Sequence, residues 1–339
     1  MKRLLPLFCI AIIALSCTRT VYLPIQRPAA VFVPPHIESI ALINRSETPV
    51  NNVNTIERVV TGELLGLDKE AAQVALDGLA RSIQDNQRFA VVRTNDVIDN
   101  PVALPGQWPP LIEWEKVEYL CRKYNTDALL ILESFDSDFI VTNGARVVQR
   151  KDSQGAERAV NEFFAQGVAS VNLGFRFYDP TTQTIIDEHM YGHSRRWETS
   201  GNLLQMALTN LIDHRQAVRD VSLQSGRMYS TRISPSWFTA NRSFFTRGRG
   251  DANFEIGVRR ATVNDWTGAK ERWEISANSH NRKTAGRSYY NLALMHEILG
   301  DLETALNYAR RAYTDYGIRQ ARDYANILRR RVNDAAVFE

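Results

Sequence analysis

Four residues of types that bind metals or move protons alternate along one segment of the chain. They are Asp187, His189, Tyr191 and His193. Residues spaced two apart share one face of a β-strand, so the aspartate and both histidines could approach one metal ion. No motif supplies a further ligand at a fixed distance, and polar residues on one strand face are typical of its solvated side. We therefore predict no metal site here.

Two other groupings of chemically active residues have the same weakness. Asp136 and Asp138 share a strand face, and paired carboxylates can carry out acid–base chemistry. At the end of a long strand, however, we expect them to face solvent. His296-Glu297 lacks the second histidine, four residues on, of a zinc-protease helix, and we expect His296 to pack between helices. With no Gly-x-Ser-x-Gly motif, phosphate-binding glycine loop or Cys–His pairing, the sequence predicts no catalytic residue and no cofactor.

The composition limits the class of partner. The chain has 339 residues, of which 23% are charged, and a net charge of +3. This length is enough for two domains, and the near-neutral balance disfavours nucleic acid as a partner. The densest basic patch, Arg329–Arg331, is interpreted as the solvated end of a helix.

The first residues have the layout of a secretory signal. Lys2 and Arg3 precede the apolar run Leu4–Leu15, which is too short to span a bilayer comfortably, and Ser16 precedes Cys17. This ending resembles a bacterial lipoprotein signal, in which the cysteine is lipidated and becomes the new N-terminus. A plain signal peptide or a membrane anchor is the alternative. Because Cys17 would carry the lipid, Cys121 would be the one free thiol of the mature chain, and its apolar surroundings predict a buried, inert side chain.

The chain is predicted to contain five segments. Residues 1–17 are the signal peptide, 18–35 a proline-rich tether, 36–220 an α/β domain, 221–249 a connector, and 250–339 helical repeats with a capping helix. The tether is inferred from four prolines and the lack of an amphipathic period. In the α/β domain, apolar strands alternate with helices and a hairpin, which predicts a mixed sheet with flanking helices. The polar stretch Thr142–Ala159 is predicted to be either a protruding hairpin or a mobile loop.

Short phrases in this domain resemble a known group. Arg88–Val92 and Asp127–Leu132 hold the places of two strand phrases in the α/β domain shared by CsgG, LpoB and the N-terminal domain of TolB, which are bacterial envelope proteins. The resemblance covers about residues 36–220 and rests on apolar pattern. It implies a CsgG/LpoB-like fold in an envelope lipoprotein.

From about residue 250 the sequence repeats itself with a period of about 36 residues. The spacing resembles that of tetratricopeptide repeats (TPR), with small residues where paired helices cross and bulky ones between them. The repeat-structural positions are Ile256, Gly257, Ala269, Trp273, Tyr289, Leu292, Ala293, Gly300, Ala305 and Ala312. Because such arrays need about three repeats, we expect this one to pack against an upstream helix (Leu203–Arg219) or an aromatic segment (Trp237–Phe245).

The favoured function is that of a non-enzymatic, lipid-anchored envelope protein that binds another envelope protein through its repeats. The predicted contact groove is lined by Asn253, Arg260, Asn264, Asn291 and Met295. One alternative is a secretion-channel or pore subunit resembling CsgG, which segment 139–164 disfavours because it is too polar for a lipid-facing hairpin. The other is a cell-wall-related enzyme.

The residues after the cysteine suggest a location. Thr18, Arg19 and Thr20 include no aspartate and begin no acidic run. By resemblance to lipoprotein sorting rules, this favours an outer-membrane lipoprotein facing the periplasm. The whole layout resembles uncharacterised envelope lipoproteins of Bacteroidota that carry tetratricopeptide repeats.

Overall fold

The computed structural model describes residues 17–46, 67–96, 98, 107–151, 153 and 155–336. The predicted signal segment lies outside the described residues, except for Cys17. The chain divides into two compact units. The α/β unit is formed by Ala29–Ser236, and the helical unit joins the residues up to Pro28 to those from Trp237 onward. The first element, β1 (Thr18–Arg27), therefore belongs to the helical unit.

The α/β unit is a mixed sheet with helices on both faces. Its strands are β2 (Ser39–Asn44), β3 (Ala90–Arg93), β4 (Ala128–Lys151), β5 (Glu157–Asp179) and β6 (Thr184–Gly201). Its helices are α1 (Leu67–Asn86), α2 (Trp114–Tyr124), α3 (Leu204–Thr209) and α4 (His214–Ile233). The spatial order of the strands is β3-β2-β4-β5-β6. β2 is parallel to β3 and β4, whereas β5 is antiparallel to β4 and β6. The predicted α/β fold is confirmed.

Consecutive apolar residues of the central strands face opposite layers. Ile40 and Leu42 of β2 lie in a core with α1 and α4. Their neighbours Ala41 and Ile43 lie in a second core with α2. Because helices cover both faces of the sheet, β2 shows a continuous apolar run without polar alternation.

Helices α1 and α4 approach each other at two glycines. A Cβ atom on Gly226 would overlap the carbonyl oxygen of Ala75, and one on Gly78 would overlap that of Leu223. No side chain therefore fits at either position without moving a backbone.

The polar segment Thr142–Ala159 belongs to a hairpin. The antiparallel register of β4 and β5 continues from Ser134↔Gly174 to Lys151↔Glu157. Of the two alternatives left open by the sequence, the structure shows the hairpin.

The helical unit contains a two-stranded sheet and five helices within its described residues. They are β7 (Ser236–Phe245), which pairs with β1, and α5 (Ala252–Thr262), α6 (Trp266–Ser276), α7 (Arg282–Ile298), α8 (Leu302–Thr314) and α9 (Arg319–Ala335). Thr246 N donates to the Cys17 carbonyl oxygen (2.9 Å), and the Arg27 guanidinium lies 4.1 Å from the Phe238 ring centre. The two strands are therefore antiparallel.

Side-chain caps define where four of these helices begin. Asp251, Asp265, Asn281 and Asp301 each accept a hydrogen bond from a backbone N–H of the first turn. Such caps satisfy amide donors that have no partner within the helix. The predicted all-helical C-terminal segment is confirmed.

Residues 18–27 differ from the predicted tether. They form β1, in which Leu23 and Ile25 are buried against the helical core while Tyr22 and Pro24 face outward. Pro24 is tolerated because β1 is an edge strand. The partner strand β7 lies more than 200 residues away in the sequence, so local pattern gave no sign of the pairing.

Residues 203–249 also differ in detail from the prediction. The expected helix Leu203–Arg219 is two helices, α3 and α4, because Asp213 caps a new start at Gln216 N. α4 continues through the predicted connector to Ile233. Phe244 and Phe245 of β7 pack in the core of the helical unit. Of the two predicted supports for the helical repeats, the structure therefore shows the aromatic segment Trp237–Phe245.

Candidate protein-interaction site

Two of the predicted groove residues are buried in the helical unit, and one of them binds the chain's own strand β7. Asn291 on α7 is fully buried; its Oδ1 accepts from Phe245 N (2.8 Å) and its Nδ2 donates to Phe245 O (2.9 Å). Met295, one turn later, is buried in the same core. The prediction that these two side chains line a contact groove is therefore wrong, because both are buried and β7 occupies the place beside Asn291.

Glu297, on the same helix, ties three elements together. Its carboxylate accepts from Arg242 of β7 (Nε and Nη2, both 2.9 Å), and from Tyr324 (2.5 Å) and Arg331 (2.6 Å) of α9. Burial alone would raise the pKa of Glu297, but the hydrogen bonds and charge of Arg242, with those of Tyr324 and Arg331, outweigh it and lower the pKa. Arg331 is thus part of a buried ion pair and not of a solvated helix end.

The other three predicted contact residues lie around α5. Asn253 Oδ1 accepts from Arg272 Nη1 (3.2 Å), and Arg260 Nη1 donates to Asp265 Oδ2 (3.2 Å). Asn264 has a φ of 62° in the turn between α5 and α6, a left-handed conformation that asparagine tolerates. Arg260 and Asn264 therefore have roles in the turn, and partner binding by these three residues stays a prediction.

The repeat-structural residues lie at or near helix contacts. A Cβ on Gly257 would lie 2.5 Å from Trp273 Nε1, so only glycine permits this crossing of α5 and α6. Gly300, with φ +84°, forms the turn between α7 and α8, and Ile256 is half-buried. The remaining members of the set are buried, namely Ala269, Tyr289, Leu292, Ala293, Ala305 and Ala312.

A cleft of about 160 Å³ opens between α8 and α9. It is lined by Arg310, Tyr313, Thr314, Arg322, Ala325, Asn326 and Arg329. Tyr313 is 42% exposed. Arg322 pairs with Asp323 (3.1 Å), whereas Arg310 and Arg329 form no ion pair within the described residues. Sequence reasoning missed this cleft, because its residues come from two helices and only Arg329 stood in a visible basic patch.

Among the sequence-derived candidates for metal chemistry, Asp187 is held in a structural ion pair. Asp187 accepts from Arg232 (2.7 and 2.9 Å) and from the Tyr229 hydroxyl (2.8 Å). Burial and the charge of Arg232 lower the pKa of His189. In the parts of the chain that the structure describes, no three His, Cys, Asp or Glu side chains converge on a point that could hold a metal.

The remaining candidates are the carboxylates of Asp136 and Asp138 and the imidazole of His296. Asp138 is exposed and Asp136 half-buried, and the latter accepts from Asn172 Nδ2 at 3.5 Å. His296 is buried with its ring 5.2 Å from that of Tyr308, and its Nδ1 lies 3.1 Å from Asp301 Oδ2. His296 thus packs between helices, as expected.

One buried carboxylate escaped sequence reasoning. Glu133 on β4 accepts from Arg45 Nη1 (2.9 Å) and from the Tyr178 hydroxyl (2.8 Å), and Arg176 Nη1 lies 3.7 Å away. Burial raises the pKa of Glu133 despite these cations. Arg45 and Arg176 also donate to the carbonyls of Pro110 and Pro109, so the cluster fastens residues 109–110 to the sheet. The only sign in the sequence was an acidic residue directly after an apolar run.

Cys17, the predicted lipidation site, is exposed at the start of β1. None of the described helices is both long and apolar enough to cross a membrane.

Comparison with known proteins gives distant structural likenesses. A PelC dodecamer from Paraburkholderia phytofirmans is 11% identical, over 64% of this chain and 99% of that chain, with a TM-score of 0.23. A putative neuraminyllactose-binding hemagglutinin homolog from Helicobacter pylori is 13% identical, over 59% and 84%, with a TM-score of 0.23. A minor lipoprotein from Acinetobacter baumannii is 11% identical, over 59% and 99%, with a TM-score of 0.22. At such TM-scores these likenesses establish no shared function.

Family profiles cover most of the described chain. No curated protein matches it. Residues 255–330, within the helical unit, match the profile described as Domain of unknown function (DUF6340). Residues 37–245 match a profile that spans more than half of the chain, and the protein therefore belongs to the family described as Domain of unknown function (DUF8603).

Proposed function

We propose that this protein is a non-enzymatic lipoprotein of the bacterial cell envelope that binds another envelope protein through its helical unit. The anchor is supported by the residue pattern from Met1 to Cys17 and by the exposure of Cys17. The ion pairs of Arg146 and Arg150 with Glu162 (2.8 and 2.5 Å), on the β4–β5 hairpin, do not favour the channel alternative.

The observation that carries the binding role is the cleft between α8 and α9. Tyrosine and arginine are enriched at protein interfaces, where they contribute a large share of the binding energy. Arg310 and Arg329 meet no carboxylate among the described residues, so the cleft fits a partner segment that carries acidic side chains. The residues of this cleft replace Asn291 and Met295 as the proposed contact surface.

The repeats explain how such a surface is held. Consecutive helices pack on each other through small residues, with Ala305, Ala309 and Ala312 of α8 fully buried. This agrees with a TPR-like array, a scaffold that commonly serves protein recognition.

Quantitative cross-linking and co-purification from native membranes tests the binding role. The double variant Tyr313→Ala/Arg310→Ala is compared with Tyr119→Ala/Arg227→Ala, which removes an exposed tyrosine and an exposed arginine from the α/β unit. We expect at least one protein that co-purifies with the wild type to fall about tenfold with the cleft variant only, as for the loss of one binding hot spot. Equal recovery with both variants and the wild type would exclude the cleft.

We also propose that the anchor lies in the outer membrane with the protein facing the periplasm. The support is the absence of acidic residues at Thr18, Arg19 and Thr20. Membrane separation on a density gradient, followed by protease treatment of intact and permeabilised cells, tests both parts. Degradation in intact cells would contradict the periplasmic orientation.

A further inference from the structure

The anchor cysteine is held directly on the helical unit. The Cys17 carbonyl accepts from Thr246 N at 2.9 Å, and the next residue already belongs to β1. β1 is fixed in turn by Leu23 and Ile25 in the helical core. A lipid on Cys17 would therefore be attached to the helical unit without a flexible linker. The residues around Thr246 would then lie at the lipid headgroups.

Those residues are arginines. Arg247 and Arg249 follow β7 and are exposed, and Arg19 is exposed on β1. Arg287 of α7 donates from Nη1 to the Arg247 carbonyl (2.5 Å) and lies over the Phe245 ring at 4.9 Å. Arg19 Nη1 donates to Thr262 Oγ1 (3.0 Å).

The positive charge of this group is not neutralised internally. Within the described residues, none of the four arginines pairs with a carboxylate, and Arg287 Nε has no hydrogen-bond partner. Burial lowers the pKa of Arg287, the nearby Cys17 raises it, and the charges of Arg249 and Arg247 lower it, so the guanidinium groups of Arg247, Arg249 and Arg287 lie near one another.

We propose that Arg19, Arg247, Arg249 and Arg287 form a membrane-contact surface that binds the phosphate groups of anionic lipids beside the anchor. The arginine fork matches phosphate geometry, and all four side chains lie within the unit that carries Cys17. The inference rests on the proposed anchor, because attachment at Cys17 would hold this surface against the bilayer. Its consequence is that the helical unit sits against the membrane instead of hanging from a tether.

Vesicle co-sedimentation of the chain from residue 17 onward, carrying Cys17→Ser, tests this surface without any lipid on the protein. The probes are phosphatidylcholine vesicles with and without phosphatidylglycerol, at about 0.05 M and 0.5 M salt. Arg247→Gln/Arg249→Gln removes two exposed charges, and Arg195→Gln/Arg196→Gln removes two from exposed positions of β6 as the matched control. Circular dichroism checks that each variant is folded.

We expect binding that needs phosphatidylglycerol and is lost at high salt. Each arginine near an anionic surface changes the partition by about fivefold, so the Arg247/Arg249 variant should bind roughly 25-fold more weakly, and the control should bind as the wild type. No preference for phosphatidylglycerol at low salt, or equal losses in both variants, would overturn the proposal. Fractionation of the Cys17→Ser chain in cells tests the anchor separately, so failure of the anchor and failure of the surface are distinguishable.

Discussion

At the residue scale, the helical unit depends on two polar side chains of α7 that hold β7. Asn291 binds both backbone groups of Phe245, and Glu297 binds Arg242. Both are buried, and an unpaired polar group at such a depth would cost free energy. The two side chains therefore fix where β7 lies on the helices, in addition to stabilising it.

Glu297→Gln should strongly destabilise the helical unit. The substitution leaves Arg242 and Arg331 facing a neutral group, and loss of one partner of a buried ion pair costs about 3 kcal/mol. Urea unfolding monitored by hydrogen exchange of α7 peptides measures the change. Glu303→Gln, at an exposed position of α8, is the control and should shift the free energy of unfolding by less than about 0.5 kcal/mol.

The same carboxylate predicts a pH dependence. The pKa of Glu297 is lowered from 4.5 in the folded state, so its contribution to stability is complete above pH 4.5 and is lost as the pH falls through the folded pKa. The free energy of unfolding of the wild-type helical unit should decrease below pH 4.5, and the Glu297→Gln variant should lack this component. Parallel curves for the two proteins would contradict the assignment.

Cys121 should be chemically inert. Burial raises its pKa to about 11, so at pH 8 about one thiol in a thousand is ionised. In the Cys17→Ser chain lacking residues 1–16, maleimide labelling at pH 8 should proceed at least about 100-fold more slowly in native than in denatured protein. Rapid labelling of the native chain would show that the site is open.

At the scale of elements, β1 is a structural part of the helical unit. Leu23 is 8% exposed and Tyr22, its neighbour, 67%. Leu23→Ala should lower the free energy of unfolding of the helical unit by about 2–4 kcal/mol, and Tyr22→Ala by less than about 0.5 kcal/mol. Chemical denaturation followed by hydrogen exchange compares the two variants. Equal, small effects would favour the predicted tether over a structural strand.

Because α1 and α4 cross in close contact at Gly226, even the methyl group of alanine at this position should destabilise the α/β unit. Gly226→Ala should destabilise the α/β unit by about 3 kcal/mol, because the added methyl overlaps the Ala75 carbonyl, although alanine favours helices in general. Arg227→Ala, at the next and exposed position, should be nearly neutral. Thermal unfolding measures both, and a stabilised Gly226→Ala variant would show that the helices do not meet there.

Elements with a strong local pattern could be predicted from the sequence. The apolar run of β2 and the small-residue spacing of α7 and α8 indicated both fold classes. The extent of α4 was missed because Ser222, Ser225 and Gly226 line its contact face in place of large apolar residues. β1 was missed because its partner is remote in sequence. The groove prediction was wrong at Asn291 for the same reason, since the pattern of a single sequence does not show that strand β7 of the same chain binds there.

At the scale of the whole molecule, the chain combines a proposed anchor, a helical unit and an α/β unit that is the main part of the family match. Cys17 enters β1 without a linker, so lipidation would fix the helical unit at the membrane surface. The four arginines beside Cys17 and the cleft between α8 and α9 then have different proposed partners, a lipid surface and a protein.

The most direct test is membrane fractionation of cells that express the wild type or Cys17→Ser, with metabolic labelling by a fatty-acid analogue. We expect the wild type to be labelled and to pellet with membranes, because several acyl chains bind far more firmly than one. Cys17→Ser should be unlabelled, and a wash at about 0.5 M salt, which screens the arginine surface, should release it from the membranes. Limited proteolysis should show that both of its units are folded. A folded Cys17→Ser protein that stays in the membrane fraction after this wash would contradict the lipid anchor.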